Sequence, residues 1–159
     1  MGQFPALNQE DITEIEEAMR DLLAKSEANI ALLVEKAGYL IHQCGNPDQL
    51  DTTTFATLGS NAYNAVQFMA NLVNESNFTS MYQQGESYST LMVNVDENSL
   101  LVLVFPTHLT VGSIKYYATP AARSIAGRIE VASLRAPGVG LDLSDLDAKD
   151  VQTLFQRKA

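Results

Sequence analysis

A few side chains have the chemistry that a metal or catalytic site would need. His42 and Cys44 stand two residues apart in one β-prone segment, and the second histidine, His108, is remote in sequence. A metal site takes several such ligands at workable spacing, so a strand histidine near a buried thiol is the simpler interpretation. The adjacent carboxylates Glu16-Glu17 and Asp96-Glu97 lie in polar stretches, where solvated surface accounts for them.

Sequence motifs of nucleophilic and phosphate-binding enzymes are missing from the chain. It contains neither G-x-S-x-G nor G-x-x-x-x-G-K-[ST]. Those motifs place a nucleophile on a sharp turn and a phosphate in a cradle of backbone N–H groups. Gly138-Val139-Gly140 is a bare G-x-G in a linker. We therefore expect no catalytic residue, no metal site and no cofactor, and a protein that acts by binding other proteins.

The composition limits the partners that such a protein can have. Its 159 residues are 46% apolar and 18% charged, which suits one domain with its own core. Ten Lys and Arg against 19 Asp and Glu give a formal charge of −9, which repels nucleic acid and anionic membranes. With Cys44 as the one cysteine and no basic-then-apolar leader, we expect a cytoplasmic protein without disulfides or a signal peptide.

Hydrophobic periodicity predicts three helices and five strands. Their predicted order is a helix over 9–25, a hairpin over 28–35 and 39–42, a helix over 52–74 capped by Asp51, strands over 78–83, 87–95 and 99–105, and a helix over 111–134. The strand from Leu100 to Phe105 is apolar on both faces, which is typical of a central strand covered on both sides.

Pro120 interrupts the last predicted helix. Either the helix continues through the proline with a kink, or a new helix begins there after a cap at Thr119. A continuous helix is favoured because one apolar stripe keeps its phase across the proline; it consists of Ile114, Ala118, Ala121, Ile125, Ile129 and Ala132.

The predicted domain covers residues 9–134, and residues 135–159 form a linker and a short C-terminal amphipathic helix. Asp147 can cap that helix, which runs to Arg157 and has Val151, Leu154 and Phe155 on its apolar face. The tail either docks on its own domain or reaches a partner.

The predicted helix over 52–74 carries no Asp, Glu, Lys or Arg, although a surface helix of a monomer normally has a charged outer face. One side is apolar and is expected to pack on the sheet: Phe55, Leu58, Ala62, Val66, Met69 and Val73. The other side is small or amphipathic and suits the close approach of a partner: Ala56, Gly59, Ser60, Tyr63, Gln67 and Ala70. Two alternatives to an interface helix remain: the helix is buried in the centre of its own domain, or it lacks charged residues by chance.

This order of elements resembles the roadblock / dynein light-chain family, and within it the bacterial MglB-like branch, over about residues 10–134. Four stretches carry the resemblance: Leu32-Leu33-Val34-Glu35-Lys36-Ala37-Gly38-Tyr39-Leu40-Ile41, the charge-free helix, Gly85-Glu86-Ser87-Tyr88-Ser89-Thr90-Leu91-Met92-Val93, and Leu101-Val102-Leu103-Val104-Phe105 followed by Thr110-Val111-Gly112. Each describes a fold rather than a catalytic signature. The chain departs from the simplest family pattern at Pro120 and in the tail 136–159.

The resemblance implies an α/β (α+β) sandwich of order α-β-β-α-β-β-β-α. In it a five-stranded antiparallel sheet carries the middle helix on one face and the other two helices on the other. It also implies a homodimer, in which the third strands pair across the two-fold axis and the middle helices pack together.

The partner that the resemblance implies is a Ras-like small GTPase. The MglB-like branch activates GTP hydrolysis by repositioning the switch residues of the GTPase, without an arginine finger. In that branch the small-residue face of the middle helix meets the GTPase. The interface residues that follow for this chain are Gly59, Ala62, Tyr63, Val66 and Ala70, to which the hypothesis adds Phe78 and Met81.

Two other functions remain open at this stage. A nucleotide-independent scaffold or assembly subunit would use the same surfaces, and a PAS-like small-molecule sensor would need a cavity between helix and sheet. Four arginines are candidates for fingers supplied in trans, but their places in or beside helical patterns indicate solvated surface: Arg20, Arg123, Arg128 and Arg135.

Overall fold

The computed structural model describes residues 2–48 and 50–135, and the predicted linker and C-terminal helix lie outside them. The elements follow the predicted order, with bounds that differ by a few residues at most. They are α1 (Gln9–Ser26), β1 (Ile30–Glu35), β2 (Leu40–Gly45), α2 (Thr52–Leu72), β3 (Ser80–Gln83), β4 (Tyr88–Asn94), β5 (Ser99–Pro106) and α3 (Val111–Leu134). Among these elements no helix is both long enough and apolar enough to cross a membrane.

The five strands form one antiparallel sheet in the order β2-β1-β5-β4-β3. The middle strand, β5, is buried along Leu100–Leu103. Because alternate side chains of a strand point to opposite faces, Leu101 and Leu103 pack with α1 and α3, whereas Leu100 and Val102 pack with α2. The predicted sandwich, with helices on both faces of an antiparallel sheet, is confirmed.

One face of the sheet is covered by α1 and α3. The capping box at the start of α1 joins Asn8 and Asp11 reciprocally, so two N–H groups that the helix itself cannot satisfy gain partners. In α3, the buried stripe is Ile114, Ala118, Ala122, Ile125, Ile129 and Ala132. Pro120 lies inside this continuous helix, as predicted, on its exposed side. Ala122 occupies the buried position that the sequence pattern assigned to Ala121, which is half-buried.

The other face of the sheet is covered by α2, and the helix is rotated about its axis from the predicted orientation; of the predicted apolar stripe, Phe55 still packs on the cluster beneath the helix. Asp51 caps it as expected, accepting the N–H of Thr54 at 3.1 Å. Its buried residues are Ala56, Gly59, Ser60 and Tyr63, which belong to the side predicted to face a partner. The apolar stripe predicted to pack on the sheet holds Leu58, Met69 and Val73, and all three are exposed.

Close packing explains this orientation of α2. A Cβ atom added at Gly59 would lie 3.1 Å from the terminal methyl group of Met92 on β4. A larger side chain would therefore push the helix away from the sheet. Tyr63 fills the adjacent space, with its ring centroid 4.7 Å from that of Phe78, and is 1% exposed. Small side chains on the inner face let the helix approach, and the larger apolar side chains are left outside.

Candidate protein-interaction surface

The outward side of α2 is mostly apolar and carries no charge, with the exposed Asn61 as a polar residue within it; we name its apolar residues the α2 outer face. At about 100° per residue, positions separated by three, four or seven residues share one side of the helix. The α2 outer face consists of Leu58, Ala62, Ala65, Phe68, Met69, Leu72 and Val73, all exposed. Leu72 is 84% exposed and Phe68 72%. Scattered exposed apolar residues are ordinary, but a contiguous apolar patch on a surface marks a contact site.

The seven interface residues predicted from the sequence fall into three groups. Ala62 is exposed and belongs to the α2 outer face, while Val66 and Ala70 are half-buried along its border. Phe78 and Met81 are half-buried at the sheet edge, packed against the cluster beneath α2. Gly59 and Tyr63 are buried against their own sheet, so the expectation that they face a partner is wrong.

Tyr63 has an internal role instead. Its hydroxyl group donates a long hydrogen bond of 3.5 Å to the carbonyl oxygen of Phe78, and burial raises its pKa to about 12. The ammonium group of Lys36 lies 5.7 Å from the centre of the Tyr63 ring and donates to the side chain of Asn94 at 2.7 Å. Burial lowers the pKa of Lys36. This charge therefore lies under α2 rather than on its outer face.

Two polar side chains of α2 fix it to the turn between β1 and β2. Thr57 donates its hydroxyl hydrogen to the carbonyl oxygen of Gly38 at 3.0 Å, and Asn64 donates an amide hydrogen to the carbonyl oxygen of Lys36 at 3.0 Å. An asparagine in a surface helix ordinarily indicates exposure to solvent. In Asn64 the amide instead satisfies a turn carbonyl and sets the rotation of the helix about its axis.

The edge of the sheet beside α2 is formed by β3. Within the described residues β3 pairs with β4 alone, in the register Ser80–Gln83 against Val93–Thr90. The outer N–H and C=O groups of an edge strand are a template for pairing with another chain. Met81 and Phe78 join this edge to the cluster under α2. The free edge therefore borders the apolar cluster beneath α2.

The four candidate arginines lie in or next to α1 and α3, on the other side of the sheet. Arg20 pairs with Glu16, and Arg135 pairs with Asp11. Arg128 is 15% exposed at its side chain, so the solvated position expected for it is wrong. Arg123 is exposed and has no ion pair within the part of the chain that the structure describes. None of these side chains adjoins the α2 outer face.

His42 and Cys44 lie on β2 under α1. The Nε2 atom of His42 is 3.6 Å from the Oε2 atom of Glu16 and has no hydrogen-bond partner among the described residues. Cys44 is buried, and burial raises the pKa of its thiol. No group of three or more His, Cys, Asp or Glu that could hold a metal ion occurs in residues 2–48 and 50–135.

Comparisons with known proteins bear on these surfaces. The sequence model of the Roadblock/LC7 domain matches residues 14–105. Among solved structures, the fold is similar to "MglB with tetrameric arrangement" (27% identity, 83% of this chain and 99% of that chain, TM-score 0.77). It is also similar to the gliding protein MglB of Thermus thermophilus (26%, 83% and 100%, 0.76) and to MglB of Myxococcus xanthus (25%, 80% and 96%, 0.74). A comparison with proteins of curated function gives no significant match.

Proposed function

This chain belongs to the Roadblock/LC7 domain family, and on that premise we propose that it is a cytoplasmic homodimeric regulator of a Ras-like small GTPase. It binds the GTPase in a nucleotide-dependent way and, like the MglB-like proteins it resembles, stimulates hydrolysis through the partner's own catalytic residues. The observation that carries the proposal is the α2 outer face, which is apolar, exposed and without a charged residue along 21 residues of helix.

Self-association is the first part of the proposal. Burying a Leu, Met or Phe side chain is worth roughly 1.5–3 kcal/mol, and several such side chains are exposed on the α2 outer face. The edge of β3 is a second surface that another chain can cover. A second copy can cover both at once, by strand pairing and by helix packing about a two-fold axis. One solved relative is itself described as having a tetrameric arrangement.

Replacement of one leucine by glutamate tests the dimer. In Leu72→Glu, the added charge would have to leave water for an apolar contact, so we expect sedimentation to show monomers where the unchanged chain shows dimers. Leu134→Glu is the matched control, because Leu134 is 79% exposed at the end of α3. If Leu72→Glu and Leu134→Glu both sediment as dimers, as the unchanged chain does, the α2 outer face is not the dimer contact.

GTPase binding is the second part of the proposal and is tested at Ala62. The purified protein is used as bait in a lysate of its own source, with a non-hydrolysable GTP analogue or with GDP. A small GTPase should be retained only with the GTP analogue. In Ala62→Arg a bulky cation enters the contact, and we expect a loss of about 2 kcal/mol or more, roughly thirty-fold in affinity. Because Ala62 and Leu72 share one helix face, the variant is also sedimented: lost GTPase binding by a variant that still dimerises assigns Ala62 to the GTPase contact. Ala24→Arg, at an exposed alanine of α1, should bind as before.

The outcomes separate this proposal from the alternatives. Partners retained equally with both nucleotides would indicate a scaffold or assembly subunit, and binding that survives Ala62→Arg would remove the α2 outer face as the site. If a GTPase is captured, its hydrolysis rate with and without the protein decides whether it is activated. A small-molecule sensor would need space between α2 and the sheet, and the 3.1 Å approach at Gly59 leaves none at that point.

A further inference from the structure

A groove of about 910 Å³ lies on the opposite side of the sheet from α2. It is bounded by one flank of α3, by the ends of β3 and β4, by the turn 95–98 between β4 and β5, and by Gly2, Gln3 and Pro5 near the N-terminus. Buried apolar residues of both α3 and β4 reach it, among them Ala122, Ile129 and Val93. A methyl group added at Gly127 would have no atom within 4 Å. The groove is thus open and apolar at its base.

The flank of α3 that lines the groove is long enough for a short helix to lie along it. It extends from Lys115 to Ser133, and 18 steps of 1.5 Å give about 27 Å. The eleven residues 147–157, for which the sequence predicts an amphipathic helix, would span about 16 Å at the same rise. An amphipathic helix laid in an apolar groove is a common mode of recognition.

The chain itself supplies such a segment at the end of the groove. Ser133 lines the groove, and the 24 residues from 136 to 159 follow Arg135 directly. The eleven residues 136–146 can extend to about 36 Å at 3.3 Å per residue. This reach exceeds the length of the groove, so the tail can place residues 147–157 anywhere along it. Tethering also gives the tail an effective concentration of the order of millimolar.

Charge selects one direction for the tail. Lys115 and Arg123 line the first part of the groove along α3 and, in the part of the chain that the structure describes, form no ion pair. Glu130 lies further along, and Asp96 and Glu97 also line the groove. The first part of the tail carries Asp142, Asp145, Asp147 and Asp150 with Lys149 among them, so its net charge is negative, and the tail ends in the basic residues Arg157 and Lys158. These charges complement the groove when the two helices run in parallel.

We propose that residues 147–157 dock in this groove of their own chain, parallel to α3, with Val151, Leu154 and Phe155 against its apolar base. The docked tail covers the α3 side of the molecule and leaves the α2 outer face free. Failure of the docking proposal and failure of the proposed function are therefore distinguishable, because the experiments on Ala62 and Leu72 probe a different side of the molecule.

Disulfide trapping in the full-length chain tests the docking. In a Cys44→Ser background, which removes the native thiol, the pair Ala126→Cys and Leu154→Cys joins the groove to the apolar face of the tail. Two matched pairs are controls: Ser124→Cys with Leu154→Cys, because Ser124 is exposed on α3 but does not line the groove, and Ala126→Cys with Thr153→Cys. A disulfide needs Cα atoms within about 7 Å. We expect the first pair to oxidise at least tenfold faster than either control.

Mass spectrometry of mixed ¹⁵N-labelled and unlabelled protein distinguishes bonds within one chain from bonds between chains. Fast trapping within one chain supports the proposal. Equal rates for all three pairs would show a tail that does not dock, and trapping only between chains would assign the groove to the tail of a second copy. Arg123→Glu should slow trapping several-fold, with Asp150→Arg restoring the rate; an unchanged rate in Arg123→Glu would overturn the parallel placement.

Discussion

Asp11 joins the two helices on the α1–α3 side, and its replacement by asparagine should destabilise the fold by a predictable amount. The carboxylate is 0% exposed. It accepts hydrogen bonds from the backbone N–H of Asn8 at 2.7 Å, from Nε of Arg128 at 2.7 Å and from the side chain of Arg135. Arg128 also donates to Glu14 at 2.9 Å. Asp11→Asn keeps the shape of the side chain and removes its charge.

The magnitude follows from the pKa of Asp11. Burial acts to raise this pKa, but the hydrogen bonds from Arg135, Asn8 and Arg128 outweigh burial and lower it from 3.8 to about 2. Each pKa unit corresponds to about 1.4 kcal/mol, so the ionised carboxylate stabilises the folded state by about 2 kcal/mol. Because the folded pKa is the lower one, this contribution is complete above pH 3.8 and is lost as the pH falls through about 2.

Urea unfolding at pH 7 and at pH 3 measures this contribution. At pH 7 the free energy of unfolding of Asp11→Asn should fall by about 2 kcal/mol, and at pH 3 the difference from the unchanged chain should shrink to about half. Asp21→Asn is the matched control: Asp21 pairs with Lys25 on the exposed side of α1 at 2.7 Å, and such pairs contribute at most about 0.5 kcal/mol. Equal losses in both variants at pH 7, or a difference that stays constant with pH, would refute the reasoning.

Glycine substitutions give two further predictions, both read from thermal and urea unfolding. Gly127→Ala in α3, with nothing near its new methyl group, should raise the free energy of unfolding by up to about 1 kcal/mol through helix propensity. Gly59→Ala should raise it less, because Met92 has to move. Gly59→Arg should lower it by about 2 kcal/mol or more. Gly45 has φ of 101°, and an added Cβ would lie 2.1 Å from the carbonyl oxygen of Asn29. Gly45→Ala should therefore cost about 2 kcal/mol or more, whereas Gly112→Ala, in the first turn of α3 with open space around it, should not destabilise the protein.

The order of elements and the layering of the fold could be predicted because each rests on a local pattern. The apolar run Leu100–Phe105 identified the central strand, and the unbroken stripe across Pro120 identified one continuous α3. Glycine at position 38, with φ of 112° in the turn between β1 and β2, marked the hairpin. In each case a periodicity or a turn residue within a short window determines the local structure.

The rotation of α2 could not be predicted, because the amphipathic rule assumes that the more apolar side faces the core. In α2 both sides are free of charge, so the rule has only side-chain size to decide between them. The orientation is decided by residues distant in sequence: the end of the Met92 side chain on β4 lies close to Gly59, and the carbonyl oxygens of Lys36 and Gly38 accept hydrogen bonds from Asn64 and Thr57. The pairing of Asp11 with Arg128, 117 residues apart, likewise has no local signature.

Apolar packing holds helices on both faces of the sheet, but the two faces differ in their polar contacts and in what they present to solvent. On the α1–α3 side, ion pairs around Asp11 and Arg128 fix the ends of two long helices to one another. On the α2 side, the inner contacts are small and close, and the large apolar side chains point outward. Side chains such as Leu72 and Phe68 contribute little to the stability of a monomer, since they remain in water. Their free energy of burial is available only when another chain covers them, so the α2 outer face can change its partner without weakening the fold that presents it.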